Sequence, residues 1–393
     1  MKKIFYFQRI PINPHGNGGQ HRSYQIYFDL TAAFGAENVI IIDLTKCERI
    51  KEAPLKVYIR ELIMRWKLLV DLLVKKLSPQ KISKASIRQI IAQQEINHSY
   101  LSMYRLALQQ YGQPEFCVID HPEFIEVATY NFENHIRTIL CPQNLEVFVN
   151  VVGNGTNEDV IYKAAVNFVK ELLVFAFCDD HFIISKNELS LVRGLGYNAK
   201  YYPYLPVGEI KDWLLNIRTQ RTKGAIVKGL FVYIGTISYG PTLVGIKWLL
   251  SKIREEGLPE GCQIIIAGNG GKNLIDEYGS ISNIQIFDRL EQSEMENLLI
   301  KAQAVLVPQF AGFGSVTRIT EMACAGIPVL ASEHSVSAMD VPPGVVGLPQ
   351  QWSDWKEAIL KLEARKNDEY TNIGDSYDVW EHGQTNPFFN LEL

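Results

Sequence analysis

Long apolar runs are missing from this chain of 393 residues. The longest, such as Leu68 to Val74 and Leu172 to Phe177, are broken by charge well short of the roughly 18 residues that a spanning helix needs. The opening MKKIFYFQRIP has too short an apolar run for a secretory leader and reads as a first β-strand. The expectation is a cytoplasmic protein. The six cysteines (Cys47, Cys117, Cys141, Cys178, Cys262 and Cys324) show no CxxC or Cys/His spacing, which leaves neither a zinc site nor a disulfide framework and predicts buried thiols. Nor is there a basic excess: 39 Lys and Arg stand against 43 Asp and Glu, for a net charge of -4, which argues against a nucleic-acid binder. No D-x-D falls in a suitable position, so no metal is expected.

Two glycine-rich stretches lack what their look-alikes require. Gly268-Asn269-Gly270-Gly271-Lys272 has no four-residue spacer and carries Asn273 where a P-loop needs Ser or Thr, so it reads as a turn lining a cleft. Gly16-Asn17-Gly18-Gly19, with Asp43 ending the second strand, invites a dinucleotide reading, but His21 stands at the third glycine position and the loop starts too far beyond the first strand. A flexible loop is preferred, with a structural turn as the alternative.

What is present is ordinary globular material, 47% hydrophobic and 21% charged, long enough for two cores. The first half opens with a strand at about Ile4 to Phe7, a helix from about Arg22 and a strand at Val39 to Asp43. Leu55 to Tyr111 is helical in pattern. Short apolar runs at Phe116 to Ile119, Ile136 to Cys141 and His181 to Ile184 predict buried parallel strands. The stretch YYPYLPVGE, 201 to 209, reads as a linker. Beyond it, strands at Phe231 to Ile234, Gln263 to Ala267, Ile284 to Phe287, Ala304 to Val307 and Val329 to Ala331 alternate with helices, the pattern of a doubly wound parallel sheet.

Ligands of such sheets sit beyond the carboxyl ends of the strands. There the sequence runs AGFGSVTRITEMACAGIPVLAS, read as a Gly-rich turn, Ser315 as N-cap, a helix to about Ala325 and Gly326 as stop signal. Backbone N–H groups at a helix start attract phosphate. Arg318 and Glu321, three apart, share a helix face. A guanidinium can hold diphosphate oxygens and a carboxylate can accept ribose hydroxyls. An isolated R-x-x-E is more often a surface ion pair.

The whole segment resembles the nucleotide-sugar motif of GT-B glycosyltransferases of the family 4 kind, G-x-G-x-R-x-K-x-x-E-A-M-A-x-G-x-P-V-V. The resemblance extends through FVYIGTISYGPTLVGIKWLL, IIIAGNGGKN and IQIFDRLEQSEMENLLIKAQAVLVPQ, in matching order over about residues 229 to 350. In the first half, FCVIDHPEF and CPQNLE resemble a strand ending in a cleft-facing histidine and the turn after it. The resemblance implies a metal-independent, retaining transferase that needs no cofactor beyond its nucleotide-sugar substrate. It places Arg318 on the phosphate-binding cation and Glu321 on the ribose carboxylate. Gly312, Phe313, Gly314 and Ser315 fall on the turn under sugar and phosphates, Gly235 and Thr236 on the phosphate-facing turn, and His121 near the reacting sugar. Gly18, Gly19, Arg22 and Asn144 are the acceptor-side candidates. Two departures stand out: Ala311 replaces the usual acidic residue before the turn, and Thr236-Ile237-Ser238 replaces a common basic pair.

One further feature is a basic island: residues 51 to 88 hold ten Lys and Arg against three acidic residues around Trp66. It reads either as an interfacial helix on anionic lipid, which would allow peripheral contact at the inner membrane face and a lipid-linked acceptor, or as a solvated helix face. The expected architecture is α/β, GT-B, with two Rossmann-like parallel-sheet domains facing a central cleft. Residues 1–205 form the acceptor domain, 206–365 the nucleotide-sugar domain, and 366–393 a tail packing back toward the first. The expected activity is sugar transfer from a nucleotide sugar, built on UDP or GDP, to a glycan, lipid-linked or small-molecule acceptor. The alternatives are an impaired sugar-nucleotide-binding or assembly protein, motivated by Ala311, and a nucleotide-sugar epimerase or a phosphorylase on the same fold.

Overall fold

The structure, a computed structural model, describes residues 3–43, 99–147, 158–364 and 368–391. The basic island, and Cys47, lie outside these described residues.

Within them the chain builds two six-stranded, wholly parallel sheets. The first has the order β2-β1-β3-β4-β5-β6, from β1 (Ile4–Gln8), β2 (Val39–Asp43), β3 (Cys117–Ile119), β4 (Thr138–Leu140), β5 (Asp180–Ile183) and β6 (Ala199–Tyr201). The second has the order β12-β11-β10-β7-β8-β9, from β7 (Leu230–Ile234), β8 (Gln263–Ala267), β9 (Ile284–Phe287), β10 (Ala304–Val307), β11 (Val329–Ser332) and β12 (Val345–Leu348). Helices cover both faces, so the central strands are buried along their length: all five residues of IFYFQ in β1 are buried, as are the four of β10. The expected GT-B architecture of two Rossmann-like sheets is therefore present.

All five expected strands in the second half match within a residue, three of them outright, because each is a compact apolar run between turn residues. The short β6 and β12 were not anticipated. Each is only three or four residues long and partly exposed, too brief for a periodic signal.

Both sheets reverse direction of growth once, between β1 and β3 in the first and between β7 and β10 in the second. At such a switch point the connections leave on opposite faces and open a crevice at the strand ends. The segment 202–207 carries the chain from one sheet to the helix Gly208–Arg221 that precedes the other.

The carboxy-terminal part touches both halves. Helix Asp368–His382 is tied to Gly208–Arg221 by a bidentate Arg218–Asp378 pair and by Lys211–Glu381. Beyond it the turn Pro387–Asn390 sends Phe388 into the first core, edge-on to Phe182 at 5.2 Å and to Tyr202 at 5.5 Å. The five described cysteines are buried and unpaired. Burial pushes the thiols of Cys117 and Cys324 up to about 12, which keeps them inert. Among the described residues no helix is long and apolar enough to cross a membrane.

Candidate functional site

The switch point of the second sheet is framed by Gly235, which follows β7, and by the Gly312 turn, which follows β10. Gly235 adopts φ +145°, and a side chain there would collide with the Arg318 guanidinium. Glycine is thus required for the guanidinium to rest on the backbone. Arg318 also stacks over the Tyr233 ring, 4.7 Å from its centroid, a cation–π contact that orients the group without neutralising it. Arg318 has no ion-pair partner among the described residues, and in particular does not pair with Glu321. Thr236 is exposed beside it.

Glu321 is buried and reaches in a different direction. Its Oε1 meets Nδ1 of His21 at 2.7 Å and accepts from the Tyr204 hydroxyl at 2.8 Å. Burial alone would raise its pKa, but His21, Tyr204 and Arg318 outweigh it and hold the carboxyl below its ordinary value. The same pair raises His21 against the opposing effect of burial. His21 belongs to the helix Gly18–Phe34, capped by Asn17 and Gln20 in a reciprocal box. The start of that helix abuts the second half closely: a Cβ on Gly18 would come 2.6 Å from Oγ1 of Thr317.

The Gly-rich turn departs from expectation in one detail. Ser315 does not cap the following helix, which runs Thr317–Cys324 from Val316 with no side-chain cap. Two positive-φ glycines, Gly312 and Gly314, use up the residues before it, so the helix starts later. The Gly312 carbonyl accepts from Nε2 of His334, in that ring's Nε2–H form. The Gly314 N–H donates to Glu188 at 3.0 Å, whose same oxygen accepts from the Leu145 N–H at 2.7 Å. Burial pushes Glu188 up to about 7 despite these bonds. Gly314 packs on Asn144, to which a Cβ would come within 3.1 Å. The turn after β4 and the turn after β10 are therefore stitched together by one carboxyl group.

In the first sheet, His121 follows β3. The Glu123 N–H donates to its Nδ1, and its Nε2 lies 3.1 Å from Glu146 Oε1. Arg9 Nη1 lies 2.7 Å from the same nitrogen and adds positive charge. The ring is 3% exposed and Glu146 is 29% exposed, so the carboxylate is the end of this pair that solvent reaches. Asp120 beside it is fully buried, bonded by the Arg9 N–H, Ser23 and Tyr6, and burial raises it to about 6. Gln143 donates to the Gly19 carbonyl and to Ser23, fixing the first loop against the β4 turn.

Arg22 corrects the acceptor-side expectation. It is buried, donates to the carbonyls of Tyr202 and Pro203 and to Gln25, and lies 3.9 Å over the Tyr202 ring. These bonds make it an anchor for the segment between the sheets rather than a group offered to a ligand.

Nothing in the local sequence marks His21, Tyr204, Tyr233 or Glu188 as site residues. His21 was visible only as the residue that spoils a dinucleotide fingerprint, and Tyr204 only as part of a linker. Glu188 sits in an ordinary N-cap pattern behind Ser185, with nothing to mark its contact with a turn 126 residues away.

No protein-family model matches this chain, and no curated protein matches it. Solved structures do. It resembles sucrose-phosphate synthase from Thermosynechococcus elongatus at 13% identity, with a TM-score of 0.60 over 97% of this chain and 96% of that one. It resembles HepE of Anabaena, solved with UDP and glucose, at 12% identity and a TM-score of 0.56 over 97% and 95% of the two chains. WaaG, a glycosyltransferase of lipopolysaccharide biosynthesis, aligns at 12% identity and a TM-score of 0.54 over 97% and 95%. At these identities the likeness is one of fold.

Proposed function

We propose that this GT-B chain is a glycosyltransferase that takes a nucleotide-sugar donor in the crevice between its two sheets. The observation that carries the reading is the pair Arg318 and Glu321. One helix presents an un-neutralised guanidinium at a sheet switch point, and one turn further along it presents a buried, ionised carboxylate. A diphosphate suits the first and ribose hydroxyls suit the second.

In this reading Arg318, Gly235, Thr236 and the turn Gly312 to Ser315 bind diphosphate and sugar. Positive charge and oriented amides stabilise the leaving nucleotide as its charge develops. His121 and Glu146 face the reacting sugar from the other sheet. The reaction retains anomeric configuration and needs no metal, and a glycan or lipid-linked molecule accepts the sugar. HepE, of the same fold, was solved with UDP-glucose, which makes uridine donors the first to try. Cytoplasmic placement, with the 51–88 island touching anionic lipid, belongs to the same proposal. Failure to co-sediment with anionic vesicles would remove the lipid part alone.

The test is a panel of sugar nucleotides scored for thermal stabilisation and for release of nucleotide with and without acceptor. Stabilisation with release supports the transferase. Ala311 keeps a second reading open, a binding or assembly protein without turnover, which stabilisation without release would support. No stabilisation by any donor overturns both.

A further inference from the structure

Glu321 is served by the protein on one oxygen only. His21 and Tyr204 both meet Oε1, while Oε2 takes no hydrogen bond from the described residues and is not shut away among the buried unpartnered atoms. The two donors come from different parts of the chain. His21 is on the first helix of the N-terminal half, and Tyr204 is in the segment joining the sheets.

We propose that His21 and Tyr204 are positioning residues for nucleotide recognition: by sharing Oε1 they fix the Glu321 carboxylate so that Oε2 accepts from the ribose. Because His21 belongs to the opposite half, the nucleotide site is complete only when the halves are together. This rests on the reading of Glu321 as the ribose ligand.

The chemistry follows from the inventory of groups. A carboxylate has about four lone-pair directions, and without fixed partners it turns about its last side-chain bond. Two donors on one oxygen remove that freedom before the ligand arrives, which lowers the ordering cost of binding. They also keep the group ionised in a buried setting, so it remains an acceptor. The titratable and charged groups facing the pair are Arg318, on the same helix as Glu321, and Tyr204, behind which lie Tyr377 and Cys324; the Pro14 carbonyl faces the His21 ring. Of these, His21 is the one whose charge changes near neutrality, and its pKa is raised from 6.5. As pH rises through that raised value, His21 loses its proton and the fixed, charge-assisted bond weakens.

The experiment titrates UDP, GDP and ADP into the full chain by calorimetry and carries the tightest forward to His21→Ala, His21→Gln, Tyr204→Phe and Glu321→Gln between pH 6 and pH 9. The expected result is roughly tenfold weaker binding for His21→Ala and for Tyr204→Phe, the scale of one hydrogen bond to a charged group. Wild-type affinity should fall toward high pH, whereas His21→Gln, which keeps a donor that cannot titrate, should be flatter. The comparison with His21→Gln removes the ligand's own ionisation, and both of these measurements stand if His21→Ala fails to fold. If Glu321→Gln abolishes binding while His21→Gln follows the wild-type pH profile and Tyr204→Phe binds normally, the positioning role is overturned and the ribose assignment survives. If Glu321→Gln binds like the wild type, the ribose assignment falls as well.

Discussion

Arg318 and Gly235 are in direct contact, side chain on backbone, with no room for even a methyl group between them. Gly235→Ala should therefore push the guanidinium off its seat on Tyr233. The expected outcome is nucleoside diphosphate binding weaker by about tenfold or more, with a stability loss of about 1–3 kcal/mol from the disfavoured φ. Calorimetry and urea unfolding on the same variant check the two parts. Unchanged affinity would separate Arg318 from the ligand.

Arg318→Ala and Glu321→Ala should each weaken the same ligand sharply, since each leaves charge or hydroxyl groups of the ligand without a partner. Losses of roughly tenfold to a hundredfold are expected from the scale of charge-assisted bonds. Normal affinity in both variants would sink the site assignment.

His121→Ala should spare nucleotide affinity and lower turnover by about a hundredfold, the low end for a group acting on proton or charge movement. Steady-state kinetics with a transferring donor provides the check. Near-normal turnover would confine His121 to capping the Pro122–Phe124 turn.

Glu188 gives a stability prediction with a definite sign. Its folded pKa of about 7 lies above the ordinary 4.5, so between those values the folded state holds a proton that the unfolded state has released. Stability from this group falls as pH rises through that window and is flat above it. The full effect is about 3 kcal/mol at most. Urea unfolding of wild type and Glu188→Gln at pH 5 and pH 8 should show the variant gaining on the wild type at the higher pH. A pH-independent difference would contradict the buried carboxyl.

Phe388→Ala should cost about 3 kcal/mol, the scale of emptying a buried aromatic site, because Phe388 fills the first core although it lies far along the chain. Chemical denaturation followed by tryptophan fluorescence measures it. A loss below about 0.5 kcal/mol would mean that the turn is not held there in solution.

The fold was legible where local pattern and burial agree. Strands such as Gln263–Ala267 and Ala304–Val307 are apolar runs bounded by turn residues, and buried parallel strands have that composition for a physical reason: both faces are covered. The Gly312 turn, Arg318 and Glu321 were legible because helical spacing and a glycine pattern act over a few residues. The helix start was not, since positive φ at Gly312 and Gly314 depends on what the turn packs against. Arg22 was misjudged because a charged side chain beside a glycine loop looks available until its carbonyl partners are known.

The sequence by itself determined that parallel sheets form, that a glycine turn lies at the end of a strand, and that an arginine and a glutamate share the face that follows it. These are consequences of short-range periodicity and backbone freedom. Only the tertiary structure decided that the two are not paired with each other. Arg318 settles on Tyr233 and Gly235, while Glu321 is claimed by His21 from 300 residues away. Contacts of that kind depend on how the two sheets meet, and nothing in the local chain encodes a partner 300 residues away.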